Sequence, residues 1–271
     1  MPVTETADRI KLLQDEILKM PRADGSVRHI FMPGIYMREL TIPANVVSVG
    51  HNHRFNHISM LTKGRITILN NDGGLTELTA PFTMISSPGK KCAYTHEETV
   101  WVNVHAAGCT DVETLEQELY DWSDAPQRVK ELADPTASDD YQQMLIEWGL
   151  TEETVQTETH VDNVTPMPYG IHKCKVSDSK LHGKGVFATA NISTGELIAP
   201  VFLAGQRTPV GRYMNHSGNA NAKVVKSPNG DTYLVATRPI QGCTGGNDGE
   251  EITTNYRETL LLLGRQPCQV G

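Results

Sequence analysis

The chain has 271 residues and a formal net charge of −8, from 24 Lys and Arg against 32 Asp and Glu. That length leaves room for two domains with a core each, and that charge argues against non-specific nucleic-acid binding, which needs clustered Lys and Arg. No apolar run reaches the roughly 18 residues of a membrane span and no basic segment leads into an apolar core at the start, so a cytoplasmic protein without a membrane partner is expected.

Taken in chain order, Glu5 to Met20 sets Ile10, Leu12, Leu13, Ile17 and Leu18 near helical spacing, which predicts an amphipathic helix ending before Pro21. From Ile30 to His105 the texture turns to short β-rich runs, among them Val46–Val49, Arg65–Leu69 and Val100–Val104. Asn70-Asn71-Asp72-Gly73-Gly74 predicts a hairpin turn, because Asn, Asp and Gly tolerate positive φ. Evenly spaced strands with no long helix between them mean a sandwich or small barrel. Asp111–Leu119 and Tyr141–Trp148 are predicted helices, with Pro126 and Pro135 breaking the chain between them. Thr151–Thr165 is acidic and rich in threonine, and Pro166-Met167-Pro168 closes it. A second β region opens near Tyr169, with a hairpin turn at Ser227–Asp231 between the runs Ala222–Val225 and Thr232–Val235.

The fold class expected is therefore mostly β. Its parts are an N-terminal helix (1–24), a β-barrel (25–110), a partly helical connector (111–168), a second β domain (169–262) and a tail (263–271). Five cysteines, Cys92, Cys109, Cys174, Cys243 and Cys268, are scattered without a CxxC pair. A disulfide framework or structural zinc site is not expected, and a reducing compartment is.

In the first β region, His51-Asn52-His53-Arg54-Phe55-Asn56-His57 continues to Gly64. His51 and His53 share one side of a strand by the period of two, and so does His57 if the strand stays regular. The run resembles the first motif of the cupins, with His57 where that family puts a glutamate. Ser87-Pro88-Gly89 resembles part of the second motif; Cys92 stands at the position of the family's fourth ligand, and His96 faces the same side. The resemblance implies a cupin-like barrel and a divalent transition metal held among His51, His53, His57, Cys92 and His96. A barrel that is only a scaffold, with its histidines satisfied in the core, is the alternative. Gly34–Leu40 and His96–Trp101 are similar to cupin-like proteins of tailed bacteriophages, over residues 25 to 120.

Three further signals follow in fixed order: Gly183-Lys184-Gly185-Val186-Phe187, Arg212-Tyr213-Met214-Asn215-His216-Ser217, and Gly249-Glu250-Glu251-Ile252-Thr253-Thr254-Asn255-Tyr256. Together they resemble the SET domain, the fold of one class of S-adenosylmethionine-dependent protein lysine methyltransferases. The resemblance implies that Gly183, Lys184 and Gly185 let the backbone approach the cofactor. It implies that Asn215 and His216 contact the cofactor through a knot-like chain crossing, and that Tyr256 points its hydroxyl into the lysine channel. A phenol of ordinary pKa near 10 orients the amine there and is no strong base.

The chain departs from the family's pattern in several places. Only a short linker separates Ile198 from Asn215, where the family carries an insert walling the substrate groove. Gly218-Asn219-Ala220-Asn221 replaces the usual Cys-Asp-Pro-Asn, Cys268 alone remains of a cysteine cluster, and Cys243–Gly249 adds a glycine-rich loop.

The leading expectation is an S-adenosylmethionine-dependent methyltransferase of protein lysine, with the barrel for oligomerisation or targeting. A non-catalytic head, tail or decoration protein of a phage virion is the alternative, and a metal-dependent cupin enzyme the third. The expected partners are a protein substrate or further copies of the chain, in a homo-oligomer or a virion. The expected place is the cytoplasm, that of the host if a phage encodes it, or the virion.

Overall fold

The structure is a computed structural model that describes residues 3–17, 19–20, 23, 25–70, 73–123, 136–243 and 249–268. The chain is mostly β and divides into two compact units. One holds residues 1–128, 169–171 and 243–247; the other holds 129–168, 172–242 and 248–271. The segment expected as a free-standing connector, 111–168, is thus shared between them. Asn71, Asp72, Pro126, Pro135 and most of the Cys243–Gly249 loop lie outside the described residues.

The first unit opens with α1 (Val3–Ile17), close to the predicted helix, whose Gln14 side chain accepts from Lys90 Nζ at 2.7 Å. Nine strands follow: β1 (Ser26–Met32), β2 (Ile35–Ile42), β3 (Val47–His53), β4 (His57–Lys63), β5 (Arg65–Leu69), β6 (Leu75–Thr79), β7 (Phe82–Ser86), β8 (Gly89–Thr95) and β9 (Thr99–Ala106). Helix α2 (Val112–Leu119) then starts at Asp111, whose carboxylate accepts the Thr114 N–H at 2.9 Å and caps the first turn. It leads into β10 (Tyr120–Asp121), which pairs Tyr120 with His53. Later in the chain, β11 (Gly170–His172) borders β1.

These strands form two sheets, β11-β1-β2-β9-β4-β7 and β10-β3-β8-β5-β6. Alternation puts one side of each strand inward, and the two inner faces enclose a cavity of about 480 Å³. One end of the interior is packed by Phe31, Tyr36, Leu115, Leu119 and Tyr120, the other by Leu61, Ile66 and Leu78.

The second unit begins with α3 (Thr136–Glu147) and α4 (Glu152–Glu158). Its strands are β12 (Cys174–Asp178), β13 (Lys184–Ala188), β14 (Leu197–Leu203), β15 (Gln206–Arg207), β16 (Asn215–His216), β17 (Ala222–Lys226), β18 (Thr232–Ala236) and β19 (Glu251–Thr254). The helices α5 (Pro209–Tyr213) and α6 (Tyr256–Leu262) complete it. The predicted hairpin at Ser227–Asp231 joins β17 to β18, closed by Ser227 N–H to Asp231 O at 2.8 Å. The sheet runs β12-β13-β19-β17-β18-β14-β15, with β16 beside β19 in parallel. That parallel pair sets Asn215–His216 against Thr253–Thr254, just before Tyr256. A core of Val186, Val201, Leu234, Ile240 and Ile252 lies under the sheet, and Met144 and Leu145 of α3 and the following Trp148 pack with Tyr256 and Leu260.

Candidate functional site

Each unit has a cavity lined by some of the residues that the sequence singles out. In the first unit, His53 closes β3, His57 opens β4 and His105 stands near the end of β9. All three are buried, and their donor nitrogens lie within 4.8 Å of one another. The ring centroids are 3.9 Å apart for His53 and His57, 4.8 Å for His57 and His105, and 5.3 Å for His53 and His105.

Burial is the main force on these rings. It pushes His53 down to about 2, helped by the charges of His57 and His105, and His105 down to about 4, helped by His57. Burial also lowers His57, against the raising effect of its hydrogen bond to the Phe55 carbonyl. All three are neutral at pH 7, which is the form that ligates metals. His57 Nδ1–H donates to Phe55 O at 3.2 Å, so its Nε2 carries the free lone pair. His53 Nδ1 and His105 Nε2 are buried with no hydrogen-bond partner. Neutral imidazoles with unused nitrogens fit a divalent transition metal.

The expected ligand set differs from this triad in three members. His51 lines the same cavity, but its ring stacks on Tyr120 at 4.5 Å and tilts against Trp122 at 5.3 Å. A register shift between Val49 and Asn52 interrupts the regular strand here. Cys92 is buried, yet its neighbours Lys91 and Ala93 are the ones that line the cavity, so alternation turns Cys92 to the other face. Burial raises its thiol pKa, which keeps it protonated. His96 bonds Thr67 Oγ1 at 2.8 Å, outside the cavity lining. His105 was missed; the signal for it is the alternation Trp101, Asn103, His105 along β9.

In the second unit a cavity of about 590 Å³ is lined by Gly183, Lys184, Asn215, His216 and Tyr256, all expected site residues. Gly183 sits at φ +49°, a left-handed turn that favours glycine. Gly185 is absent from the lining; a Cβ there would collide with the Glu251 carboxylate. Glu251 is a second residue that the sequence reading missed. Its carboxylate accepts from Ser179 Oγ at 2.8 Å and from Asn215 Nδ2 at 2.7 Å, and burial raises its pKa. Asn215 Nδ2 also donates to Lys184 O at 3.1 Å, which ties β16 to the glycine turn.

His216 has both ring nitrogens engaged. The Tyr256 backbone N–H donates to Nδ1 at 3.1 Å, so the proton sits on Nε2, which faces Asp140 Oδ2 at 2.9 Å. Asp140 comes from α3 and also takes Arg257 Nη1 at 2.9 Å, while Arg257 Nε reaches Glu147 at 2.6 Å. A Cβ at Gly218 would lie 2.6 Å from Asp140 Oδ2. The glycine at this position therefore makes room for the carboxylate. Burial lowers the His216 pKa, opposed by the hydrogen bond and charge of Asp140.

Tyr256 Oη donates to Met214 O at 2.5 Å, and its ring meets Tyr141 edge-on at 6.2 Å. Burial of the hydroxyl raises its pKa well above that of a free phenol, against the charges of Arg207 and Arg212. Tyr141, Met144, Leu150 and Val155 of the α3–α4 segment form part of the cavity wall.

No protein-family model matches the chain, and no curated protein matches it in sequence. Among solved structures it is similar to an HTH_3 family transcriptional regulator from Vibrio cholerae, at 15% identity over 34% of this chain and 58% of that one, with a TM-score of 0.27. It is also similar to an acetylacetone dioxygenase from Acinetobacter johnsonii (16% identity, 32% of this chain and 65% of that one, TM-score 0.27). A cupin domain from Bordetella pertussis is a third (14% identity, 33% and 99%, TM-score 0.27). The chain spans less than two thirds of the length of the first two.

Proposed function

We propose that the second unit is an S-adenosylmethionine-dependent methyltransferase acting on protein lysine, with the first unit a cupin-like module for self-association or targeting. One observation carries this reading. Gly183 and Lys184, Asn215 and His216, and Tyr256 come from three separate segments, and all line one cavity. Its volume lies within the roughly 300–1,000 Å³ of ligand clefts. The residues present fit the cofactor: Arg212 Nε is buried with no hydrogen-bond partner, a donor suited to the carboxylate of an amino-acid group.

S-adenosylmethionine supplies a methyl group on a positively charged sulfur. The chain's own residues prepare the amine. Arg207 and Arg212, whose charges act on Tyr256, disfavour an ammonium beside them and so lower the pKa of an entering lysine. Its proton leaves to water, because Tyr256 is itself protonated and held by Met214 O. The Tyr256 oxygen keeps lone pairs with which to orient the amine. Asp140, His216 and the Tyr256 backbone hold that oxygen in place.

The test is transfer of labelled methyl to a basic lysine peptide. Tyr256→Phe should reduce turnover by about 10²-fold while cofactor affinity stays within about twofold, the mark of an interaction made in the transition state. Assembled particles holding many copies of the protein, with no transfer by the wild type, would favour the virion role instead.

A second reading concerns the first unit. The convergence of His53, His57 and His105 supports a bound divalent transition metal there, as scaffold or as reaction centre.

A further inference from the structure

The barrel cavity holds a buried cation with an unpaired donor nitrogen. Arg38 lies on β2, where Arg38 faces Asn103 and Leu40 faces Trp101 across to β9. This register turns Arg38 inward, and it lines the cavity together with His53 and His57. The residue is 4% exposed, and its Nε has no hydrogen-bond partner. Glu116 acts on it through charge, without an ion pair among the described residues. A buried guanidinium left in this state is costly, and proteins rarely keep one unless something anionic comes to it.

The rest of the lining has the same sign. Lys91 is a second cation, and among the described lining residues there is no Asp or Glu, in a chain of net charge −8. A metal held by three neutral histidines would add further positive charge to a lining that holds no carboxylate among the described residues. Around these groups the wall is apolar, with Leu40, Ile66, Ile68 and Met84 facing the space. The opening of about 480 Å³ admits a small molecule.

We propose that the first unit's cavity binds a small organic carboxylate, with its anionic end on Arg38 and its apolar body along Leu40, Ile66, Ile68 and Met84. The planar guanidinium fork matches a carboxylate in two parallel hydrogen bonds. An apolar wall suits the single charge and carbon body of such an acid better than a strongly hydrated phosphate.

The test titrates full-length, metal-free protein with benzoate, with the neutral isostere benzamide, and with inorganic phosphate, following heat and melting temperature. Benzoate should bind at least tenfold more tightly than benzamide or phosphate. Arg38→Met keeps much of the side-chain volume and should abolish that preference. The unliganded variant should melt no lower than the wild type, because the uncompensated charge is gone, whereas an arginine with a merely structural role would leave a less stable protein. Equal binding of benzoate and benzamide, tighter binding of phosphate, or unchanged benzoate affinity in Arg38→Met would overturn the proposal. Should Arg38→Met fail to fold, the wild-type ratio of benzoate to benzamide decides alone: tenfold supports, equality overturns.

Discussion

The two cavities differ in what their polar groups are doing before any ligand arrives. In the second unit, Asn215, His216, Glu251, Asp140 and Arg257 spend their hydrogen bonds on one another, and Tyr256 is fixed to Met214. In the first unit, Arg38 Nε, His53 Nδ1, His105 Nε2 and Tyr120 Oη are buried and unpaired. A committed network preorganises a shape, whereas an uncommitted one leaves bonds for a ligand or metal to complete. The second cavity also keeps one uncommitted donor, Arg212 Nε, so the contrast is one of degree.

One expected effect concerns metal binding in the first unit. A divalent metal such as zinc, at about a hundred times its dissociation constant, should stabilise the protein by about 2.7 kcal/mol. His105→Ala should remove that gain. Cys92→Ala should keep the metal affinity, because Cys92 faces away from the cavity. Loss of the metal in Cys92→Ala with none in His105→Ala would restore the sequence-derived ligand set and break the triad.

In the second unit, Asp140→Ala should cost about 1.5–3 kcal/mol, the range for hydrogen bonds to charged groups. Arg257 Nη1 already lies 3.5 Å from His216 Nε2. Without Asp140 it would donate there, drive the ring proton to Nδ1 and meet the Tyr256 N–H head-on. Imidazole nitrogen shifts in NMR spectra should report that tautomer change. An unchanged Nε2–H tautomer in Asp140→Ala would show the network to be looser than described.

A third effect is a pH dependence of the metal-free protein. His53 and His105 are depressed in the fold to about 2 and about 4. The unfolded chain therefore takes up protons below about pH 6.5 that the folded chain refuses. Stability is full above that pH and falls as the pH drops, by roughly 1.4 kcal/mol per pH unit for each histidine. The loss from His105 ends near pH 4 and that from His53 near pH 2. Denaturant midpoints across pH 4–7 measure the slope, and a flat profile would mean the rings are not buried as neutral species.

Much of the fold could be read from local pattern. Asp111 announces the start of α2, and Ser227–Asp231 turns where Asn, Gly and Asp cluster. The second cavity was legible for a different reason, since all six residues named for it sit in three compact motifs, and five of them line the cavity. What stayed hidden depends on distance along the chain. His105 is 48 residues from His57, and only the inward parity of β9 hints at it. Asp140 reaches His216 across 76 residues, and Glu251 reaches Asn215 across 36. No periodicity encodes such pairs. His51 and Cys92 show the converse: correct local spacing, with a register shift and a strand face deciding otherwise.

Titration of purified full-length protein with S-adenosylmethionine tests the central claim most directly. The account expects saturable binding at one site per chain and a raised melting temperature, with both lost when Asn215→Ala unties the glycine turn from Glu251. No heat and no thermal shift at millimolar cofactor in the wild type would contradict it.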